Sequence, residues 1–373
     1  MLRQRKGTTM HRRWESELTR SDRLRRLMAA VVLLCTMQAA PPLLAQPANT
    51  AAPGAAPGPA AGAAVTGLGG EPYPVRPITM VVAFPPGGVA DLTARPIAVP
   101  LERILRQRVL IETRAGAGGA IGNAYVARAK PDGYTLLMAL SSLSILPEAD
   151  KVNGRTPAYS LDQFAPIALI SSDPTILVVR SESPLKSVRE LLDAARAQPG
   201  KLNYSSSGLY SALHTPMEML ALAGDVKLFH VPYQGGAPAV TALLGGQVEL
   251  LASGPGPVLP HIKAGKLRAL ASWGGRRHPA LPDVPTLKEL GIDAEFYIWA
   301  GLYAPAGTPE PVVRRLREAV REAVQDAQFR AGMEAAGQPL DYRDAPEFRS
   351  FWETDAKKMA DIVRRIGRLE DKK

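Results

Sequence analysis

A single cysteine, Cys35, stands among 373 residues. That excludes an intrachain disulfide, the cysteine-based zinc modules and the iron–sulfur ligand sets. The five histidines, His11, His214, His230, His261 and His278, have no ligand-like spacing, so neither a metal nor a cofactor is expected. Also missing are G-x-x-x-x-G-K-[ST], H-E-x-x-H and G-x-S-x-G. A phosphate loop, a zincin and a nucleophile elbow therefore lack sequence support. The run from Gly116 to Gly122 carries its third glycine one place late for G-x-G-x-x-G, which counts against a dinucleotide site. The formal charge is +10, but nine basic and three acidic residues fall in the first 45 positions. The remaining 328 residues carry a formal +4 with both signs interspersed, and no nucleic-acid partner is expected.

What is present begins with a leader. Residues 1–45 are basic up to Arg26, apolar from 27 to 35, and end in a small-residue stretch. This reads as a cleavable secretory signal cut after Ala45, with Met10 as an alternative start. Thr36, Gln38, Pro41 and Pro42 interrupt the apolar run, which falls short of the roughly 20 residues that span a bilayer. Export from the cytoplasm is expected. From Gln46 to Gly70, 19 of 25 residues are Ala, Pro or Gly. Such a segment has too little apolar bulk to offset its ordering entropy, so residues 46–72 are expected to be a linker.

From Tyr73 the chain alternates apolar β-branched runs with helical patterns. Strands are expected at 78–84, 109–113, 134–139, 175–179, 202–205, 228–231, 248–252 and 267–272, with helices between them. That alternation predicts parallel sheets covered on both faces, and its length suggests two α/β lobes. Ser187 with Glu190 and Thr286 with Glu289 fit the capping box, and Thr308 before Pro309 fits a helix start. Pro96 and Pro100 should make the first helix irregular.

Two strand-to-helix turns carry the strongest functional signal. Phe84-Pro85-Pro86-Gly87-Gly88, with Asp91 three residues on, follows the first strand; Gly116-Ala117-Gly118-Gly119 follows the second. Glycine there exposes backbone N–H groups, and the helix N-terminus adds partial positive charge, so an anion is favoured without a lysine. Asp91 either stabilises its own loop or accepts a hydrogen bond from a ligand. Ser205-Ser206-Ser207-Gly208 could hold a nucleophile with His214 nearby, but a turn that donates hydrogen bonds explains it as well.

Both loops, together with Pro131-Asp132-Gly133-Tyr134, Val231-Pro232-Tyr233-Gln234-Gly235-Gly236, Leu281-Pro282-Asp283-Val284-Pro285-Thr286 and Tyr303-Ala304-Pro305-Ala306-Gly307-Thr308-Pro309, resemble the periplasmic substrate-binding proteins of tripartite tricarboxylate transporters, the Bug or TctC-like family. The resemblance covers nearly everything after residue 73. It implies a two-lobed periplasmic-binding-protein fold, α/β, each lobe an open sheet flanked by helices, with the ligand in the interlobe cleft. Lobe 1 would comprise 73–172 and 296–373, and lobe 2 residues 173–295, hinged near 172–175 and 297–303. It further implies a binding protein and not an enzyme, which captures a small carboxylate for integral-membrane permease subunits. The ligand-binding residues would be Pro86, Gly87, Gly88, Asp91, Gly116, Ala117, Gly118 and Gly119 from the loops, then Ser141, Ser142, Ser206, Ser207, Tyr233 and Gly254 from the other cleft positions. Leu143 and the Ser253-Gly254-Pro255-Gly256 stretch depart from the family pattern. Two alternatives remain open: a ligand-binding accessory of a membrane sensor, and an exported serine hydrolase using Ser206 or Ser207.

Overall fold

The computed structural model describes Val65, Thr66, Gly70 and residues 72–369. The leader with its cut after Ala45, and most of the linker, lie outside the described residues. Inside the expected linker, Val65–Thr66 (β1) pairs antiparallel with Pro72–Tyr73 (β2). The pairing falls where the Ala/Pro/Gly composition gives way to two adjacent β-branched residues.

Ile78–Val82 (β3), Val109–Thr113 (β4) and Thr135–Leu140 (β5) run parallel. Their aliphatic side chains are mostly buried in β3 and β5. Val89–Leu105 (α1), Ala120–Ala127 (α2) and Ser142–Val152 (α3) follow the three strands in turn and pack on them. Helix α1 runs unbroken through Pro96 and Pro100. Its inward positions Val89, Ala90, Ala94, Ile97 and Leu101 are buried, so packing outweighs the missing N–H groups.

Phe164–Pro174 (β6) belongs to the same sheet but runs antiparallel to its neighbours. One residue later the chain enters a second sheet through Ile176–Arg180 (β7). That sheet is completed by Asn203–Ser206 (β8), Phe229–Pro232 (β9), Leu250–Ser253 (β10) and Leu267–Ser272 (β11), in the order β11-β7-β10-β8-β9. Val188–Ala197 (α4), Thr215–Ala223 (α5), Gly236–Leu244 (α6) and Pro255–Lys263 (α7) alternate with these strands. The chain then returns through Tyr297–Pro305 (β12) and Leu340–Asp344 (β13), giving a six-stranded sheet of order β13-β6-β12-β5-β3-β4. Glu310–Ala323 (α8), Ala327–Ala335 (α9) and Ala345–Ile366 (α10) complete the described chain.

The all-parallel expectation is thus corrected. Strands β6, β12 and β13 pair antiparallel in the first sheet and β7 does so in the second, because the crossing segments double back between sheets. The crossing points shift as well. Residues 297–303 lie within β12, paired to β5 and β6, whereas the crossing backbone is joined by Trp273 N to Thr175 O (2.9 Å), Phe296 N to Trp273 O (3.0 Å) and Thr175 N to Phe296 O (3.3 Å). Trp273 and Phe296 are buried there, each burial contributing about 2–3 kcal/mol.

The capping expectations divide. Thr286 and Glu289 form the reciprocal box, with Glu289 N to Thr286 Oγ1 at 3.0 Å and Thr286 N to Glu289 Oε2 at 2.8 Å. Ser187 caps Glu190 N, but the Glu190 carboxylate reaches Lys186 N instead of Ser187. Thr308 does not cap its helix; its hydroxyl donates to Pro305 O at 2.7 Å. Pro311 in the first turn lacks one of the N–H groups such a cap would serve.

Candidate functional site

Because β3, β4 and β5 are parallel, the turns after them open on one edge of the sheet. In the first turn Gly87 has φ +82°, and its N–H donates to Asp91 Oδ2 at 3.0 Å. Asp91 Oδ1 accepts from Arg95 Nε at 2.7 Å, and the carboxylate is buried. Both carboxylate oxygens therefore hold the loop and the first turn of α1. Gly88 is in extended backbone, φ −88° and ψ 173°, at the N-cap of α1, and Pro86 is exposed.

The second turn is built differently. Gly116, Ala117, Gly118 and Gly119 all have positive φ, at 132°, 47°, 65° and 107°. For Ala117 this costs of order 1 kcal/mol. Gly119 N donates to Gly116 O at 2.9 Å. A Cβ on Gly119 would lie 2.9 Å from Phe84 Cζ and 3.4 Å from Ser142 Oγ, so the two turns and the start of α3 converge at that glycine. Ser141 and Ser142 are buried with no protein hydrogen-bond partner for their hydroxyls. An unpaired buried hydroxyl costs about 1–3 kcal/mol, which a bound acceptor would remove.

The second sheet brings its own loops to the same place. A Cβ on Gly208 would stand 3.1 Å from Gly118 N, and one on Gly87 would stand 3.5 Å from Ala237 Cβ. Gly235, at φ +149°, is approached by the Pro85 ring, and a Cβ on Gly254 would meet Val89 Cγ2 at 2.6 Å. Tyr210 donates its hydroxyl to Gly367 O at 2.7 Å across the same gap. The loops of the two sheets therefore meet edge to edge, with glycines at the closest approaches.

The three serines after β8 have separate fates. Ser205 donates to Ala239 O at 3.0 Å. Ser206 Oγ lies 2.6 Å from His230 Nε2 and 3.0 Å from both Gly208 N and Gly208 O. Ser207 is buried, and its hydroxyl has no protein partner. Burial pushes the His230 imidazole down to about 4, so the Ser206 contact is between neutral groups near pH 7. A serine–histidine pair at this distance suggests a nucleophile and base, but the nearby acid is otherwise engaged. Glu218 accepts from Tyr204 Oη at 2.7 Å, and His230 stacks on the Tyr204 ring instead. Tyr233 points its hydroxyl at Gln247 Oε1, 3.2 Å away, beyond the end of α6.

Of the residues singled out from sequence, Phe84 to Gly88, Gly116 to Gly119, Ser141, Ser142, Ser206, Ser207 and Gly254 are brought to this junction, while the Tyr233 hydroxyl turns from it. Sequence reasoning missed His230, Tyr210 and Asp173. Asp173 is fully buried near the end of β6 with neither oxygen hydrogen-bonded by protein. Burial first, then the charge of Asp341, pushes its carboxyl well above the usual carboxylate range. An acid just past the apolar run 164–170 was the available signal for it. No cluster of three or more metal-ligating side chains occurs among the described residues, and no described helix is long and apolar enough to cross a membrane.

Comparison with known proteins agrees with this geometry. A Pseudomonas protein of strain P51, described as the UPF0065 protein in the tcbD-tcbE intergenic region, is 39% identical over 257 residues, covering 68% of this chain and 75% of that protein. The solved structure of the periplasmic binding protein BugD superposes with TM-score 0.74 at 33% identity, covering 79% of this chain and 98% of BugD. MatC from Rhodopseudomonas palustris, solved with bound malate, gives TM-score 0.74 at 31% identity over 78% of this chain and all of that one. These structures are solute-binding proteins, not enzymes, and they share the two-lobed periplasmic-binding fold. The family model for the tripartite tricarboxylate transporter family receptor, TctC, matches residues 93–368, and the chain belongs to that family of solute-binding receptors.

Proposed function

We propose that this chain captures a small organic carboxylate between its two sheets and passes it to integral-membrane permease subunits, after export by its cleaved leader. The observation that carries the reading is the junction itself. Buried hydroxyls of Ser141, Ser142 and Ser207, without protein partners, stand beside a turn of four positive-φ residues and three parallel strand ends. Hydroxyl donors and helix N-termini suit a carboxylate, and no lysine is needed to neutralise it. The malate bound by MatC supports a carboxylate as the ligand class.

Gly87 N and Gly119 N already donate within their own loops, so the serine hydroxyls are the donors on which the reading rests. Calorimetry with malate and a series of longer and shorter dicarboxylates tests it. One member should bind, and Ser142→Ala and Ser207→Ala should each weaken it about 10-fold or more. Binding of only uncharged solutes would contradict the reading. Intact mass of the exported protein should place its N-terminus between residues 39 and 52; a full-length chain in the cytoplasm would contradict export.

A further inference from the structure

A second concave surface lies on the first lobe, apart from the junction. It is a groove of about 660 Å³ lined by Arg76, Arg114, Arg128 and Lys130 together with Tyr125 and Tyr134. It runs beside α2, from Ile121 and Arg114 at the cleft end to Lys130 and Arg76 at the far end of the sheet.

Its charge is unbalanced. Two carboxylates face the four cations: Asp132 pairs with Arg76 at 2.9 Å and Glu112 with Arg114 at 2.5 Å. Arg128 and Lys130 are exposed and form no ion pair among the described residues; Arg128 makes one long contact to Ala158 O at 3.5 Å. The two paired arginines are also held by aromatic rings. Arg76 lies 3.8 Å from the Tyr134 ring centroid and Arg114 lies 3.5 Å from that of Tyr125. Stacking fixes each guanidinium plane, with its N–H edge turned to Asp132 or Glu112, so the unpaired charge of the groove is carried by Arg128 and Lys130. Apolar surface adjoins the charges: Ile121 is 54% exposed and Tyr125 38% exposed. Arginine and tyrosine around an exposed aliphatic residue are the composition of protein-docking surfaces.

We propose that this groove docks an acidic segment of a partner protein, one with carboxylates for Arg128 and Lys130 and an aliphatic or aromatic side chain for Ile121 and Tyr125. A protein segment fits better than a bilayer because the charges line a concavity, which a flat surface does not enter. The position has a consequence. Ile121 Cδ1 lies 2.6 Å from where a Gly116 Cβ would be, so the occupant would touch the turn that carries the candidate solute site. On the reading proposed above, on which the identity of the partner as a membrane subunit rests, the groove would report on that turn.

The test uses the purified chain at low ionic strength with three probes: a fluorescent Glu/Leu octapeptide, its Gln/Leu counterpart, and phosphatidylglycerol vesicles. The Glu/Leu peptide should bind and the Gln/Leu peptide should not. The paired reversal Arg128→Glu with Lys130→Glu should weaken the Glu/Leu peptide about 10-fold. The remote pair Lys186→Glu with Arg189→Glu should change it less than about 2-fold. Malate calorimetry on the same variants separates the two readings, since groove variants should leave solute binding unchanged. Absence of peptide binding, equal losses in both double variants, or binding of vesicles without peptide would overturn the proposal.

Discussion

The two sheet edges that meet at the junction are held by different forces. On the first sheet the 116–119 turn is shaped by backbone conformation, four successive positive-φ residues packed against Phe84 and Ser142. On the second the shape comes from side-chain hydrogen bonding, with Ser205 tied to Ala239 O and Ser206 tied to His230 and Gly208. The 116–119 turn should therefore be sensitive to added volume and, carrying no titratable side chain, indifferent to pH. The second edge should respond to protonation of His230.

The largest effect expected from that contrast is Gly119→Val. The substitution adds a β-branched side chain at φ +107°, 2.9 Å from Phe84 Cζ. Strain and displacement together should cost about 2–4 kcal/mol, read as a loss of carboxylate affinity of about 100-fold or as a lowered melting temperature. Unchanged binding and melting would erase the distinction between the edges.

His230→Gln tests the other edge. The folded pKa of His230 is depressed to about 4 from 6.5 by burial, so the unfolded chain binds the extra proton first. The native protein should therefore lose stability as pH falls from about 6.5 toward 4, by about 3 kcal/mol near the lower end. Glutamine keeps a partner for Ser206 and has no such titration. Denaturant titrations at pH 7 and pH 4.5 should show a smaller acid loss in the variant; equal losses would remove His230 from the account.

Asp91→Asn should be milder. It removes the charge that pairs with the half-exposed Arg95 but keeps an acceptor for Gly87 N. About 1 kcal/mol of stability is expected to go, with carboxylate affinity within about 3-fold. A strong affinity loss with a normal melt would make Asp91 a ligand contact instead. Gly88→Ala should do least. Its φ is −88°, and the nearest atom to an added Cβ is Pro85 O at 3.7 Å, so stability should stay within about 0.5 kcal/mol.

Gly87, Gly88 and Gly119 show where sequence reading stops. Composition locates both loops, since glycine after an apolar run marks a strand-to-helix turn. It does not say that Gly87 and Gly119 are left-handed while Gly88 is extended, because the φ of each residue depends on the packing of the whole turn. Strands 109–113 and 267–272 are legible to the residue because their apolar runs end in turn signals. Strands β6 and β12 are not, neither as strands nor in their antiparallel sense: no strand is expected at 164–174 and 297–303 reads as a crossing segment, while a buried strand reads the same whichever way its partner runs. His230 is invisible for a similar reason. A lone histidine before a valine carries no signal until β8 and β9 pair and set it against Ser206.

The central claim is that the carboxylate sits where the two edges meet. The most direct measurement is a crystal structure of the exported protein with the solute that copurifies with it or with the tightest dicarboxylate from calorimetry. A carboxylate oxygen within about 3.2 Å of Ser142 Oγ or Ser207 Oγ, beside the 116–119 turn, is the predicted result. A ligand bound elsewhere, with both hydroxyls still facing only protein, would contradict it.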